Sequence, residues 1–165
     1  MINNNNTKIY FNGKYIGELN NDKREGKGIY YYNNGDRYEG EFKNDKIEGK
    51  GIYYYNNGQW KGDRYEGEYK NDKREGKGIM HYNNGDRYEG EYKNDKKEGK
   101  GIYYYNNGQW KGVRYEGEFK NGKREGKGIY YFNNGDREMG DYLEGKQIGK
   151  HVTLHANGNI TSKNY

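Results

Sequence analysis

Three groups of side chains in this sequence could do chemistry: the histidines, the recurring acid and lysine runs, and a set of aromatic rings. The histidines are His81, His151 and His155. The latter two sit in the worn last repeat with no carboxylate-rich neighbour in sequence, and no nucleophile, base and orienting carboxylate recur around them in a catalytic pattern. The repeated Asn-Asp-Lys-x-Glu-Gly lacks the alternating ligand spacing of a calcium loop. There is no cysteine, which excludes disulfides, thiol catalysis and zinc–thiolate sites. The chain therefore reads as non-enzymatic, with no catalytic residue, no metal ligand and no cofactor.

The cations and the rings suggest binding instead. Lys70, Lys73, Arg74 and Lys77, with their equivalents in other copies, form a row that could meet an acidic phospholipid or phosphoinositide. Acidic residues alternate with them, and the net charge of the whole chain is only +5, so no nucleic-acid partner is expected. Trp60 and Trp110 lie in two identical inserts, QWKG, where an exposed aromatic side chain could anchor a protein partner. Tyr38, Phe42, Tyr65, Tyr69, Tyr88, Tyr92, Tyr115 and Phe119 alternate with polar residues and form a candidate partner-binding aromatic face. Alternatively, the rings stack for structure alone and each Trp folds back over its own sheet.

The elements that position these residues are copies of one unit. Tyr15, Tyr38, Tyr65, Tyr88 and Tyr115 open successive copies at spacings of 23, 27, 23 and 27 residues, a 23-mer with an optional four-residue insert. Residues 38–87 and 88–137 match at 42 positions. The chain divides into an N-terminal segment, 1–14, with a possible capping strand, then repeats at 15–37, 38–64, 65–87, 88–114 and 115–137. Residues 138–165 form a degenerate sixth copy serving as a C-terminal cap, with His151 where a glycine stands elsewhere. Repeats of this length bury surface against their neighbours.

Within a copy, Tyr38, Gly40 and Phe42 alternate with Glu39 and Glu41, the two-residue period of a strand. Gly49, Gly51, Tyr53 and Tyr55 alternate likewise, so each copy predicts a β-hairpin whose glycines leave slots for rings. The structural glycines are Gly40, Gly49, Gly51, Gly67, Gly76, Gly78, Gly90, Gly99, Gly101, Gly117, Gly126 and Gly128. Asn-Asn-Gly closes each copy as a turn between antiparallel strands. On the polar face, Glu39 and Glu41 are expected to pair with Lys50 across strands. The fold class is all-β: an elongated, twisted, single-layer antiparallel sheet of tandem hairpins, about twelve strands in all.

Composition agrees with a repeat array. Only 29% of residues are hydrophobic, and Tyr supplies 22 of them, so aliphatic packing cannot dominate. Charge of 33% resembles an unfolded chain, but 17% aromatic residues in fixed register argue for order. The opening MINNNNTK has no apolar core of a leader, which predicts a cytoplasmic protein.

The pattern Tyr-x-Gly-x-aromatic, Gly-x-Gly and a final Gly in 23 residues resembles the MORN repeat, named for membrane occupation and recognition nexus. Tyr65, Gly67, Tyr69, Gly76, Gly78 and Gly85 fill it in the third copy. Two positions depart from it: the fifth, often Trp, is Leu19, Phe42, Tyr69, Tyr92, Phe119 or Tyr142, and the eighth, often Gly, is Asp22, Asp45, Asp72 or Asp95, with Gly only at 122 and 145. The resemblance implies a scaffold for protein–protein interaction in a cytoskeletal or ciliary (axonemal) assembly such as a radial spoke head. Its alternative implication is a peripheral membrane adaptor binding acidic phospholipids. Open strand edges leave end-to-end self-association as a further expectation.

Overall fold

The computed structural model describes residues 6–165; the first five residues of the N-terminal segment lie outside the described residues. The described residues hold fourteen strands and two single 3-10 turns, two strands more than the repeat count predicts because each end adds one. They fall into two units that meet between Asn83 and Asn84.

The first unit holds β1 (Asn6–Tyr10), β2 (Gly13–Asn20), β3 (Lys23–Tyr32), β4 (Arg37–Lys43), β5 (Lys46–Tyr54), β6 (Arg64–Lys70) and β7 (Lys73–His81). The second holds β8 (Arg87–Lys93), β9 (Lys96–Tyr104), β10 (Arg114–Lys120), β11 (Lys123–Tyr131), β12 (Arg137–Leu143), β13 (Lys146–Leu154) and β14 (Ile160–Asn164). Inside each unit every strand pairs antiparallel with its neighbour in sequence.

Each hairpin tip is a two-residue turn. Asn44 and Asp45 both take left-handed φ, 49° and 66°, the geometry that matches the right-handed twist of the flanking strands. Asn and Asp tolerate it better than other side chains do. The Asn-Asn-Gly turns are one residue longer: Gly35 (φ 94°) donates to Tyr32 O at 2.9 Å, and Tyr32 N–H donates to Asp36 O at 2.9 Å.

A bulge after Gly40 shifts the register, and strict alternation did not anticipate it. Lys50 N–H donates to Glu41 Oε1 at 3.3 Å across it. The expected Glu–Lys pairs are therefore replaced. Glu39 stands opposite Ile52 and bridges to Arg37 on its own strand at 3.1 Å, while Arg37 stacks over Tyr54 at 4.4 Å.

Glycine makes room for the core. The Tyr38 ring lies over the Gly40 and Gly51 pair, and a Cβ on Gly51 would sit 2.5 Å from Tyr38 Cε2. Tyr38 is 0% exposed because Phe42 and Tyr69 cover it edge-on at centroid distances of 5.2 and 5.3 Å. In the second unit Tyr115 is covered in the same way by Phe119 and Tyr142. These edge-to-face contacts are the packing between repeats.

Tips of successive hairpins are also bonded together. Asp45 N–H donates to Arg24 O, Asn44 N–H to Glu25 Oε2 at 2.9 Å, and Arg24 N–H to Asp45 Oδ1 at 2.8 Å. Ile47, Glu48, Asn71 and Asp72 repeat the arrangement. Asp at the eighth position thus supplies a carboxylate acceptor that glycine cannot, whereas Gly122 keeps only the backbone bond to Lys97 O.

The sixth copy uses the same slot from the opposite strand. Glu138 stands where the ring should be, and the ring comes instead from His151, which lies over Gly140 and is 1% exposed. Its Nδ1 is 3.1 Å from Glu138 Oε1 and its Nε2 is 3.0 Å from Asp141 O. Tyr142 and Tyr165 close around it edge-on.

Candidate functional site

The eight rings read as a partner-binding face are placed inside. Tyr38, Tyr65, Tyr88 and Tyr115 are fully covered, and Phe42, Tyr69, Tyr92 and Phe119 are between 3% and 6% exposed. A second aromatic row lies beside the Asn-Asn-Gly turns, half-buried at Tyr32, Tyr53 and Tyr55 and buried at Tyr30. In the first unit Tyr30, Tyr32, Tyr53 and Tyr55 follow one another at 4.6 to 5.6 Å with tilted planes. This row was present in the sequence as the Tyr-Tyr-Tyr triplets, but alternation assigned no distinct role to its outer members.

The turn side of this row is held by a buried acid. Asp36 Oδ1 accepts from Asn56 N–H at 2.8 Å, and its Oδ2 accepts from Tyr53 Oη at 3.1 Å. Asp86 does the same for Asn106 and Tyr103, and Asp63 for Asn83 N–H. At 113 the acid is replaced by Val, which is 5% exposed. Tyr130, left without that acceptor, pairs its hydroxyl with Tyr105 Oη at 3.2 Å and receives Arg124.

The two inserts form 3-10 turns, Gly58–Trp60 and Gly108–Trp110, each capped by the preceding Asn side chain. Trp60 is 53% exposed and Trp110 is 42% exposed. Trp110 lies back against the row, 5.9 Å from Tyr105 and Tyr130 and 6.3 Å from Phe132. Tyr130 adds contacts to Tyr105 at 28° and to Phe132 at 23°. Ring planes in this cluster lie within 40° of one another, so it presents flat apolar faces, one of them a half-exposed indole.

Burial sets the electrostatics of the rings. It pushes the hydroxyls of Tyr15, Tyr32 and Tyr142 up to about 12, and that of Tyr105 up as well, so the aromatic surface is uncharged at neutral pH. Of the basic row, Lys70 and Lys73 face each other at a hairpin tip and Lys77 is exposed on β7. Arg74 leaves that row, its guanidinium 5.5 Å from the Tyr65 ring.

Five copies, residues 15–37, 38–60, 65–87, 88–110 and 115–137, match the MORN repeat. This chain belongs to the MORN-repeat family. The match takes the 23-residue unit and leaves the last four residues of each longer copy outside. No curated protein sequence matches the chain. Among solved structures, the TCP domain of SAS-4 (dCPAP) of Drosophila melanogaster, in complex with a proline-rich motif of Ana2 (dSTIL), has a TM-score of 0.56 at 14% identity, covering 96% of this chain and 90% of that one. The wild-type TCP10 domain of Danio rerio CPAP matches at 14% identity and a TM-score of 0.40, covering 96% and 94%. The first likeness is one of fold. The MORN repeats of this chain build open antiparallel sheet within each unit. No described helix is long and apolar enough to cross a membrane.

Proposed function

We propose that this MORN-repeat chain is a non-enzymatic scaffold of a cytoskeletal assembly, centriolar or ciliary, and that its Trp110 cluster docks a proline-rich extended segment of a protein partner. The observation that carries the reading is the cluster of Tyr105, Tyr130 and Phe132 around Trp110, with ring planes tilted 34° to 40° from the indole, which is itself 42% exposed. Proline rings pack on flat aromatic faces, and a polyproline helix loses little entropy on docking because it is already extended. The fly domain of similar fold was solved with a proline-rich motif, which supports the choice of partner chemistry.

Trp fluorescence provides the test. In a Trp60→Phe variant, Trp110 is the sole reporter; proline-rich peptides titrated into it should shift the emission saturably. Trp110→Ala should weaken binding by at least about tenfold, the scale of a buried aromatic anchor. Binding unchanged by Trp110→Ala, or no response to any proline-rich peptide, would reject this site. Affinity purification from the source cells, followed by identification of partners retained by wild type and lost by the variant, tests the assembly.

A further inference from the structure

One dipeptide is held in two ways in this chain. Asn-Gly occurs eight times in the sequence, and four of the pairs, at Asn34, Asn84, Asn134 and Asn157, lie in the short turns that join one hairpin to the next strand. There the Asn side chain reaches forward: Asn34 Oδ1 accepts from Asp36 N–H and Asn84 Oδ1 from Asp86 N–H, both at 2.9 Å. Asn134 and Asn157 do the same with Asp136 and Asn159 at 3.0 Å. The Nδ2 groups of Asn34 and Asn84 donate to the carboxylates of Asp36 and Asp86. The following glycine nitrogen is occupied elsewhere, Gly35 donating to Tyr32 O, Gly135 to Phe132 O and Gly158 to His155 O at 2.9 to 3.0 Å.

In the two Trp-bearing inserts the side chain turns the other way. Gly58 N–H donates to Asn57 Oδ1 and Gly108 N–H to Asn107 Oδ1, each at 2.7 Å. A nitrogen beside Oδ1 is also beside Cγ, and rotation about the Cβ–Cγ bond presents the amide carbon to it, a near-attack arrangement that the short turns lack. Two residues after the Asn, where the short turns of Asn34 and Asn84 have Asp, the inserts have Gln59 and Gln109, so no carboxylate there opposes negative charge on the glycine nitrogen. Both pairs are exposed, and nothing lies within 4 Å of the Cβ position of Gly58 or Gly108, so water and hydroxide reach them. The remaining pairs, at Asn12 and Asn121, lie at hairpin tips, where Gly13 pairs in strand with Tyr10 and Gly122 N–H donates to Lys97 O.

We propose that Asn57 and Asn107 are sites of spontaneous deamidation, and that the fold protects the Asn-Gly pairs of the short turns. Hydroxide takes the proton of the glycine N–H, and the nitrogen bonds to the Asn Cγ. The Cγ–Nδ2 bond breaks, the leaving nitrogen takes a proton from water, and ammonia departs from a five-membered succinimide. Water then opens the ring. Opening at Cγ gives aspartate; opening at the main-chain carbon gives isoaspartate, whose backbone runs through Cγ and is longer by one methylene. One water is consumed and one ammonia released, with no change of oxidation state. Either product places a new carboxylate three residues before Trp60 or Trp110, and isoaspartate lengthens the turn that holds the indole. The reaction needs no partner and proceeds whether or not Trp110 docks a proline-rich segment.

The full chain is incubated at mildly alkaline pH and sampled by tandem mass spectrometry of its tryptic peptides, which locates each exchange of an amide for a carboxyl. Residues 51–61 and 101–111 have one sequence, so a Trp60→Phe background separates them; residues 28–37, 78–87 and 128–137 report the short turns. Conversion at Asn57 and Asn107 should exceed that at Asn34, Asn84 and Asn134 by about tenfold or more, the order expected when two hydrogen bonds must break before reaction. In urea, where the turns are lost, all of these positions should convert at similar rates. Asn57→Ser with Asn107→Ser keeps a capping side chain and should remove most of the ammonia released by the folded chain. No conversion at Asn57 and Asn107, equal or faster conversion in the short turns, a ratio unchanged by urea, or undiminished ammonia release in the double variant overturns the proposal.

Discussion

Replacing Gly51 by Ala tests the packing logic of the whole array. Gly51 does not have a left-handed φ, so its backbone accepts alanine, and the penalty comes from one contact: the new Cβ would lie 2.5 Å from Tyr38 Cε2. The ring has to move. Leaving its slot forfeits about 1.5 to 3 kcal/mol of burial. The edge-on pairs with Phe42 and Tyr69 add about 0.5 to 1.5 kcal/mol each, and the Tyr38 hydroxyl bond to Glu41 O about 0.5 to 1.5 kcal/mol. The expected loss is roughly 3 to 7 kcal/mol, a large part of a domain's stability. Urea unfolding followed by near-UV circular dichroism measures it. Because the cost resides in the ring, Tyr38→Ala should absorb most of it, and the double variant should cost about as much as Tyr38→Ala alone. Gly58→Ala is the comparator, since nothing lies within 4 Å of its Cβ and its φ is 65°; it should cost only the left-handed strain, about 1 to 2 kcal/mol. If Gly51→Ala costs no more than Gly58→Ala, or if the costs of Gly51→Ala and Tyr38→Ala simply add, the ring-slot account is wrong.

Other perturbations are equally specific. Gly122→Asp should stabilise by about 0.5 to 1.5 kcal/mol, because Asp72 already accepts Ile47 N–H from the equivalent position; a lower urea midpoint would contradict this. Tyr69→Phe should be neutral or stabilising by about 1 kcal/mol, since the Tyr69 hydroxyl is buried without an acceptor and Phe42 and Phe119 fill the same position; a loss above that size would show that the hydroxyl contributes. Raising pH should unfold the chain through its tyrosines. Their folded-state values lie above the ordinary 10.0, at about 12 for Tyr32 and Tyr142. This contribution to stability is complete below about pH 10 and is lost as pH rises toward 12. Tyrosinate absorbance and loss of near-UV dichroism should therefore coincide, whereas ionisation near pH 10 with the dichroism intact would exclude burial as the cause.

The repeat period, the hairpins and the ring slots were legible because side-chain alternation and glycine spacing report backbone geometry directly. Tyr38, Gly40 and Gly51 could be assigned to one cluster from period alone. The bulge after Gly40 leaves two extra residues on the returning strand; its signal was Gly49, which sits there at φ 70° beside Glu41 and which alternation assigned to a ring slot instead. The direction of the carboxylates was not legible. Glu41 and Glu48 look like surface partners for lysine in sequence, yet their oxygens are taken by backbone N–H groups whose positions depend on the bulge and on the neighbouring hairpin. His151 read as wear in the motif; only the pairing of strands shows that it refills the slot from the other side.

The two Trp inserts are identical in sequence but sit in different surroundings. Both read QWKG, but the residues around them differ in a coupled manner. Where Asp36 and Asp86 are present, a tyrosine seventeen residues later uses the acid: Tyr53 and Tyr103. Asp63 instead has Met80 at that distance, and Tyr130 has Val113. The hydroxyl of Tyr130 consequently turns to Tyr105 and Arg124, drawing two rings together under Trp110, while Phe132 replaces the hydroxyl-bearing Tyr82. Three substitutions between the two 50-residue blocks thus distinguish the surroundings of Trp110 from those of Trp60. Val113→Asp should reverse the first step by offering an acceptor to Asn133 N–H and Tyr130, as Asp36 does for Asn56 and Tyr53. Tyr130 should then leave Tyr105. In a Trp60→Phe background Trp110 emission should shift toward that of a more exposed indole, and proline-rich peptide binding should weaken by about tenfold or more. Unaltered emission and binding would mean that the cluster is held by ring contacts alone, and that the acid at 113 has no part in choosing which Trp is used.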